Sequence, residues 1–243
     1  MSLEFAREEE RPEVRELCWP RDSEGLTACK DRQMIQGLKL DVDLKIRQSE
    51  GDQKTAWLAI ESASTSHVPM LNLQYLHGLS DAILGHVSTM THLKSIDLSS
   101  SSGASAEGIK HLYRLQWLEK LNFSKSDVLD SALESIGSLS SLKQLLLSFT
   151  KLTDAGLSHL TGLSSLQLLS LTECMGVTNA SMVNVGRLTG LEELWLGGTA
   201  VTDDGLQQLT ALIKLKGLWT SEEDYLRNDE VYKRIGWSGG RDR

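Results

Sequence analysis

Residues 142–163 read LKQLLLSFTKLTDAGLSHLTGL. The first half sets apolar Leu142, Leu145 and Leu147 among other positions in the pattern of a short, half-buried strand. The second half opens on Thr153-Asp154-x-Gly156-Leu157. It then returns to Leu every third residue, at Leu157, Leu160 and Leu163, which is the spacing of a helix face. The whole unit recurs. Its first position is held by Leu93, Leu118, Leu142, Leu166, Leu191 and Leu215, in steps of 25, 24, 24, 25 and 24 residues, and one more step back lands on Val68. The fourth position reads Leu71, Ile96, Leu121, Leu145, Leu169, Leu194 and Leu218. The sixth reads Leu73, Leu98, Phe123, Leu147, Leu171 and Leu196, and only Thr220 breaks it. The ninth is small and polar or Cys: Ser101, Ser126, Thr150, Cys174 and Thr199. One such unit cannot bury its own hydrophobic face, whereas stacked copies can, so the period decides the architecture.

These columns resemble the leucine-rich repeat superfamily, whose signature is L-x-x-L-x-L-x-x-N/C-x-L. More narrowly, the T-D-x-G-L step is similar to the ribonuclease-inhibitor-like, F-box-associated style of repeat. The resemblance covers residues 68–219. It implies an α/β leucine-rich-repeat solenoid: a curved right-handed stack with parallel strands on the concave face, short helices on the convex face and terminal caps. It also implies protein–protein recognition on the concave face, without catalysis.

The chain has 243 residues, enough for one elongated domain or two small ones. No apolar run approaches the roughly 20 residues that span a bilayer. The opening MSLEFAREEERPEVREL lacks the apolar core of a signal peptide, which reads as a protein that is not secreted. Cys18, Cys29 and Cys174 are odd in number and have no metal-ligand spacing, which points to reduced intracellular thiols. The net charge is -8. Nucleic acid and anionic membranes favour basic surfaces, so neither is an expected partner. The expectation is a monomer in the cytoplasm, with the nucleus as the second location, and with no cofactor or metal.

Residues 1–34 stand outside the repeat as a charged arm. Arg7, Arg11 and Arg15 are four apart, but Pro12 interrupts the helix they would share. Such a charged segment reads as a loosely docked arm or as a docking peptide, with Trp19-Pro20 as its anchor. Residues 35–67 read as an N-terminal cap or a degenerate first repeat. Every second residue from Leu38 to Ile46 is apolar, a half-buried strand pattern, and a helix follows over residues 52–62. The place is where an F-box would stand, but its Leu-Pro start and its helical apolar run are missing. Residues 68–215 are the repeats. Their turns end in Ser/Thr-Asp/Asn pairs that are expected to cap the helices, and the Ser99–Ser105 stretch departs from this, which predicts a looser turn there. Each 25-residue step takes one extra turn residue, and Gly176 is where it fits after Cys174-Met175. Residues 216–243 read as a C-terminal cap, with Ser221 opening a helix, and a tail.

Catalysis needs a nucleophile, a base and an orienting group that converge. His86, His111 and His159 share one helix column, but that column also holds Ser135, Asn184 and Gln208, as a solvated position does. Asp203-Asp204 and Glu192-Glu193 read as caps and solvated strand positions. Gly197-Gly198 and Gly239-Gly240 have no phosphate-loop context. Cys174 falls in the small ninth column, as a buried thiol. No enzyme is expected.

Binding belongs to the strand positions that the repeat leaves free. The fifth column reads Asn72, Asp97, Asn122, Leu146, Ser170, Trp195, Trp219. The third reads Met70, Ser95, Lys120, Gln144, Leu168, Glu193, Gly217. The eighth reads Tyr75, Ser100, Lys125, Phe149, Glu173, Gly198, Glu222. The first half is polar. The second offers Leu146, Phe149, Leu168, Trp195 and Trp219, where no repeat rule asks for apolar residues. Clustered apolar and aromatic side chains mark interfaces. Glu173 and Glu193 sit at the rim, which favours a partner segment with Lys or Arg around an apolar centre. Gly197-Gly198 leaves room beside Trp195 for a partner's side chain. Two other arrangements compete. The chain's own C-terminal segment covers Trp195 and Trp219, or the stack is a spacer with no preferred site. The alternative function is that of a substrate receptor in an SCF-type ubiquitin ligase.

Overall fold

The computed structural model describes Asp43–Lys45 and residues 68–220, all within one compact unit, Asp41–Arg243. The expectations for the charged arm, for the helix over 52–62 and for the segment after Thr220 lie outside the described residues.

Eight three-residue strands form one parallel sheet in chain order. They are β1 Asp43–Lys45, β2 Met70–Asn72, β3 Ser95–Asp97, β4 Lys120–Asn122, β5 Gln144–Leu146, β6 Leu168–Ser170, β7 Glu193–Trp195 and β8 Gly217–Trp219. The register aligns the fourth column across the sheet, from Leu71 opposite Ile96 to Leu194 opposite Leu218. Among the described residues, six helices carry the chain between strands: α1 Asp81–Val87, α2 Ala106–Lys110, α3 Asp130–Ile136, α4 Asp154–Leu157, α5 Asn179–Val185 and α6 Asp203–Leu206. The second, fourth and sixth run on into 3-10 turns, His111–Arg114, Ser158–Gly162 and Gln207–Leu209. Repeat and topology together make this an α/β leucine-rich-repeat solenoid.

The core is one continuous file. The first- and fourth-column residues from Val68 to Leu218 are buried, and so is the sixth column from Leu73 to Leu196. The helix triplets, such as Leu133/Ile136/Leu139 and Met182/Val185/Leu188, are buried against it. Each buried Leu contributes roughly 1.5–3 kcal/mol. Helices of four to seven residues would not persist alone, so this packing is what holds them. The ninth column closes each strand-end turn. The hydroxyls of Ser126, Thr150 and Thr199 donate to the carbonyls three residues back, at 2.6–2.7 Å. Cys174 is fully buried in this column, with its Sγ 3.1 Å from the Leu147 carbonyl.

The Thr-Asp-x-Gly step does more than cap its own helix. The caps are Ser80, Ser105, Thr153 and Thr178, whose side chains accept from helix N–H groups. The acidic residue beside the cap reaches forward to the next unit instead. Asp130 accepts from the Thr153 N–H at 2.9 Å and hydroxyl at 2.6 Å. Asp154 does the same with Thr178 at 2.8 and 2.6 Å, and Asp81 with Ser105 at 2.8 and 2.7 Å. Where Asn179 replaces Asp, one bond reverses: its amide donates to the Thr202 hydroxyl at 2.8 Å, and Thr202 makes no side-chain cap. The glycine is the space for this carboxylate. A Cβ on Gly108, Gly156 or Gly205 would overlap the side chain of Asp81, Asp130 or Asn179. Asp154 meets Ser181 in the glycine place instead, and Ser181 joins Thr178 in lowering its carboxyl. The junction that lacks the acid also lacks the glycine. Ala106 stands where the Asp would be, and the following unit has Ala132 in place of Gly. At that junction Leu129 occupies the cap position without a cap bond, and a crevice lined by Ile109, Phe123 and Val128 opens.

The Ser99–Ser105 turn is ordered, not looser. Ser105 caps α2 and holds Asp81, and Ser102 bridges His77 of the preceding unit. Its extra residue is Gly103, at φ +105°, where a Cβ would press on the Gly78 and Leu79 backbone. Gly176 is the equivalent insertion three strands along: a Cβ there would come 2.6 Å from the Leu152 carbonyl oxygen.

The ladder ties stability to pH. Burial pushes the Asp154 carboxyl up, and the hydrogen bonds led by the Thr178 hydroxyl outweigh it, so the group lies below its ordinary value. The Ser105 hydroxyl, then its N–H, lowers Asp81. A folded value below the unfolded one adds stability above about pH 3.9 and loses it as pH falls through the folded value. Asp154→Asn keeps the bonds in the sense that Asn179 shows but cannot ionise. It is expected to lose about 0.5–1 kcal/mol at pH 7. Its urea midpoint should also fall less steeply than that of the wild type below pH 4. Parallel curves would contradict this.

Candidate functional site

In a strand of three residues the middle side chain points into the core and the outer two point away, because Cβ direction alternates. Each unit therefore presents two outward positions, plus the eighth residue where the chain turns off the strand. Five of these eighth residues have left-handed backbone without being glycine: Tyr75, Ser100, Lys125, Phe149 and Glu173, at φ 56–61°. Gly198 continues the column at φ 72°. This conformation costs a non-glycine residue roughly 1–2 kcal/mol. The turn is imposed by neighbouring units, whose carbonyls accept each of these N–H groups where they are bonded, as in Phe149 N–H to Thr172 at 2.7 Å.

The first half of the face uses its polar side chains internally. Asn72, Asp97 and Asn122 each accept, through Oδ1, the N–H two residues on, at 2.9–3.1 Å. Gln74 also donates to Asp97 at 2.6 Å. This half is not uniformly polar, since Tyr75 is 62% exposed.

The second half places one apolar residue on each of four consecutive strands: Leu146 on β5, Leu168 on β6, Trp195 on β7 and Trp219 on β8. Leu146, Leu168 and Trp219 are half-buried, and Trp195 is 39% exposed. The two indoles meet edge to face, centroids 5.3 Å apart at 63°. Gly217 makes this possible, because a Cβ there would run into the Trp219 ring. Ser170, between Leu146 and Trp195 in register, is covered, and its hydroxyl lies 2.6 Å from that of Ser148. Phe149 is 52% exposed, with the Lys125 ammonium 5.2 Å from its ring centre.

Glu193 is half-buried on the outward side of β7, and Glu173 is half-buried at the end of β6. The expected room beside Trp195 is only half present. Glu173 itself fills the space over Gly198, where a Cβ would come 2.5 Å from the carboxyl carbon, while Gly197 is unobstructed to 3.5 Å. The doublet thus accommodates a side chain of this chain. Charges on the strand-entry edge are paired internally: Glu119 bridges Lys94 at 3.1 Å and Lys143 at 2.7 Å, and Lys216 meets Glu192 at 2.5 Å. These lysines hold the Glu119 carboxyl below its ordinary value.

Exposed apolar side chains also occur elsewhere. Trp117, Leu129, Met175, Val183 and Ile213 are exposed, and the Lys94 ammonium stands 5.3 Å from the Trp117 ring centre. They lie on turns and helices, whereas the strand-face residues fall on adjacent strands. His111 and His159 are exposed, and the described residues contain no cluster of three or more His, Cys, Asp or Glu able to hold a metal.

No family model matches this chain, and no curated protein matches it. Among solved structures it is similar to an internalin from Listeria monocytogenes, with 20% identity over 71% of this chain and 58% of that one, at a TM-score of 0.46. It is also similar to an internalin C2 from the same organism, with 16% identity over 68% of this chain and 79% of that one, at a TM-score of 0.47. The match therefore spans 58% of the first internalin's length.

Proposed function

We propose that this chain is a non-catalytic recognition module that takes a partner protein on the strand face of its second half. One observation carries the reading. Four consecutive strands each present a large apolar side chain at positions where the repeat needs none, and Trp195 stays exposed among them. Apolar and aromatic residues in such a cluster gain most from being desolvated by a partner. Glu173 and Glu193 beside the cluster favour a partner with basic residues around an apolar centre. The repeats themselves we assign to the ribonuclease-inhibitor-like style, on the forward-reaching Thr-Asp-x-Gly ladder. A monomer in the cytoplasm or nucleus belongs to the same reading, supported by Cys174 as a buried free thiol.

The test is capture from cell extract by the wild type and by a Trp195→Ala, Phe149→Ala variant whose circular dichroism matches it. A protein held by the wild type is expected to bind the variant at least tenfold more weakly. Equal capture would remove the strand face from consideration. No observation on the described residues favours the ubiquitin-ligase receptor, and the identity of the captured protein separates that reading from the simpler one.

A further inference from the structure

Two charges of opposite sign on the strand face, one on β4 and one on β7, form no ion pair with another described residue, and their placement specifies a partner more closely than an apolar patch does. Lys120 and Glu193 lie in the same outward column, on β4 and β7, with Gln144 and Leu168 between them. Three strand spacings of about 4.8 Å put them ~14 Å apart. Neither forms an ion pair with another described residue, whereas Lys94, Glu119, Lys143, Glu192 and Lys216 on the neighbouring edge are all paired. Between the two charges lie Leu168 in the column and Leu146 beside it, and Trp195 stands next to Glu193 on β7.

From this we infer that the face takes an extended partner segment lying across the strands, with an acidic residue at Lys120, an apolar residue over Leu146 and Leu168, and a basic residue at Glu193. The inference rests on the proposed function. An extended chain advances about 3.3 Å per residue, so ~14 Å is four residues. Side chains at i, i+2 and i+4 of such a chain share one face. The recognised pattern is therefore Asp/Glu-x-apolar-x-Lys/Arg, in either chain direction. The outward positions of each strand are only two residues apart, which suits the width of one extended segment. A helix with its side chains is about 10–12 Å across.

The test is selection of random linear twelve-residue peptides displayed on phage, against the whole chain and three folded variants. The wild type is expected to enrich peptides with acidic and basic residues four apart around an apolar one. Lys120→Glu should enrich basic residues at both ends, and Glu193→Lys acidic residues at both ends. A peptide selected on the wild type should bind either variant about tenfold more weakly. Trp195→Ala reports on the underlying reading. If enrichment depends on Trp195 but the charges do not follow the two swaps, the charge order is wrong and the strand face still binds. If no peptide is enriched, or Trp195→Ala enriches the same ones, both fall.

Discussion

Replacing Phe123 with alanine is expected to remove about 3–5 kcal/mol of stability, the largest effect of any single change considered for this chain. Phe123 fills the sixth column, where every other unit from Leu73 to Leu196 uses Leu, and it is 2% exposed. Its N–H is bonded to the Leu146 carbonyl at 2.8 Å, so the backbone cannot slide in to fill the vacated volume. The junction on its N-terminal side is also the one where Ala106 makes no forward bond and Leu129 makes no cap. Neighbouring units there have the least to hold them against a cavity. In a solenoid, stability is nearly the sum of units and their interfaces, so the loss should appear as a weakened interface at this junction. Urea unfolding of the variant is expected to show a lower midpoint and a shallower slope, as the two sides of the junction begin to unfold separately. A loss below 1 kcal/mol would mean that the Phe123 pocket repacks freely.

Two glycine-to-alanine changes should move stability in opposite directions. Gly137 is the C-cap of α3 and has ordinary helical backbone, φ −60°, so helix propensity alone predicts a gain of about 1 kcal/mol from alanine. The neighbouring unit overrides it. A Cβ at Gly137 would fall on the carbonyl oxygen of His159, which is backbone and belongs to the 3-10 turn Ser158–Gly162. Gly137→Ala is expected to cost about 2–3 kcal/mol, because two units must move apart. Gly85, inside α1, is the control, since the nearest atom to its Cβ position is the His111 ring at 3.8 Å. Gly85→Ala should stabilise by about 0.5–1 kcal/mol. Thermal unfolding of both variants decides the matter: if both stabilise, the close approach at Gly137 is not what excludes a side chain.

Much of this was legible in the sequence, and the parts that were not share a cause. The apolar columns place the strands from β2 to β8 and the helix triplets correctly, because burial on one side of a unit forces a strict period, and the Leu38–Ile46 alternation holds β1. The capping residues were legible as a class, but their division of labour was not. Asp154 looks like a cap for its own helix, yet it serves Thr178, one unit on. The pairing of Ala106 with Ala132 was a signal that the acid and the small residue of the following unit belong together, as Asp81 with Gly108, Asp130 with Gly156 and Asp154 with Ser181 do. The left-handed column from Tyr75 to Glu173 gave no sign, since only Gly198 among them is the residue such backbone favours. The same holds for the Glu173 carboxylate over Gly198, which depends on a turn geometry that the residue types do not encode. On the face itself, the positions of Leu146, Leu168, Trp195 and Trp219 followed from the period. The Lys125–Phe149 contact and the edge-to-face indoles required coordinates.

The most direct measurement is a photo-crosslinking amino acid placed in turn at positions 149, 183 and 213, all exposed apolar sites in the native chain, followed by irradiation in cells. Only position 149 lies at the strand face. A discrete adduct from position 149, absent from positions 183 and 213, is the predicted result. Adducts from 183 or 213 without one from 149 would place the partner elsewhere and contradict the account.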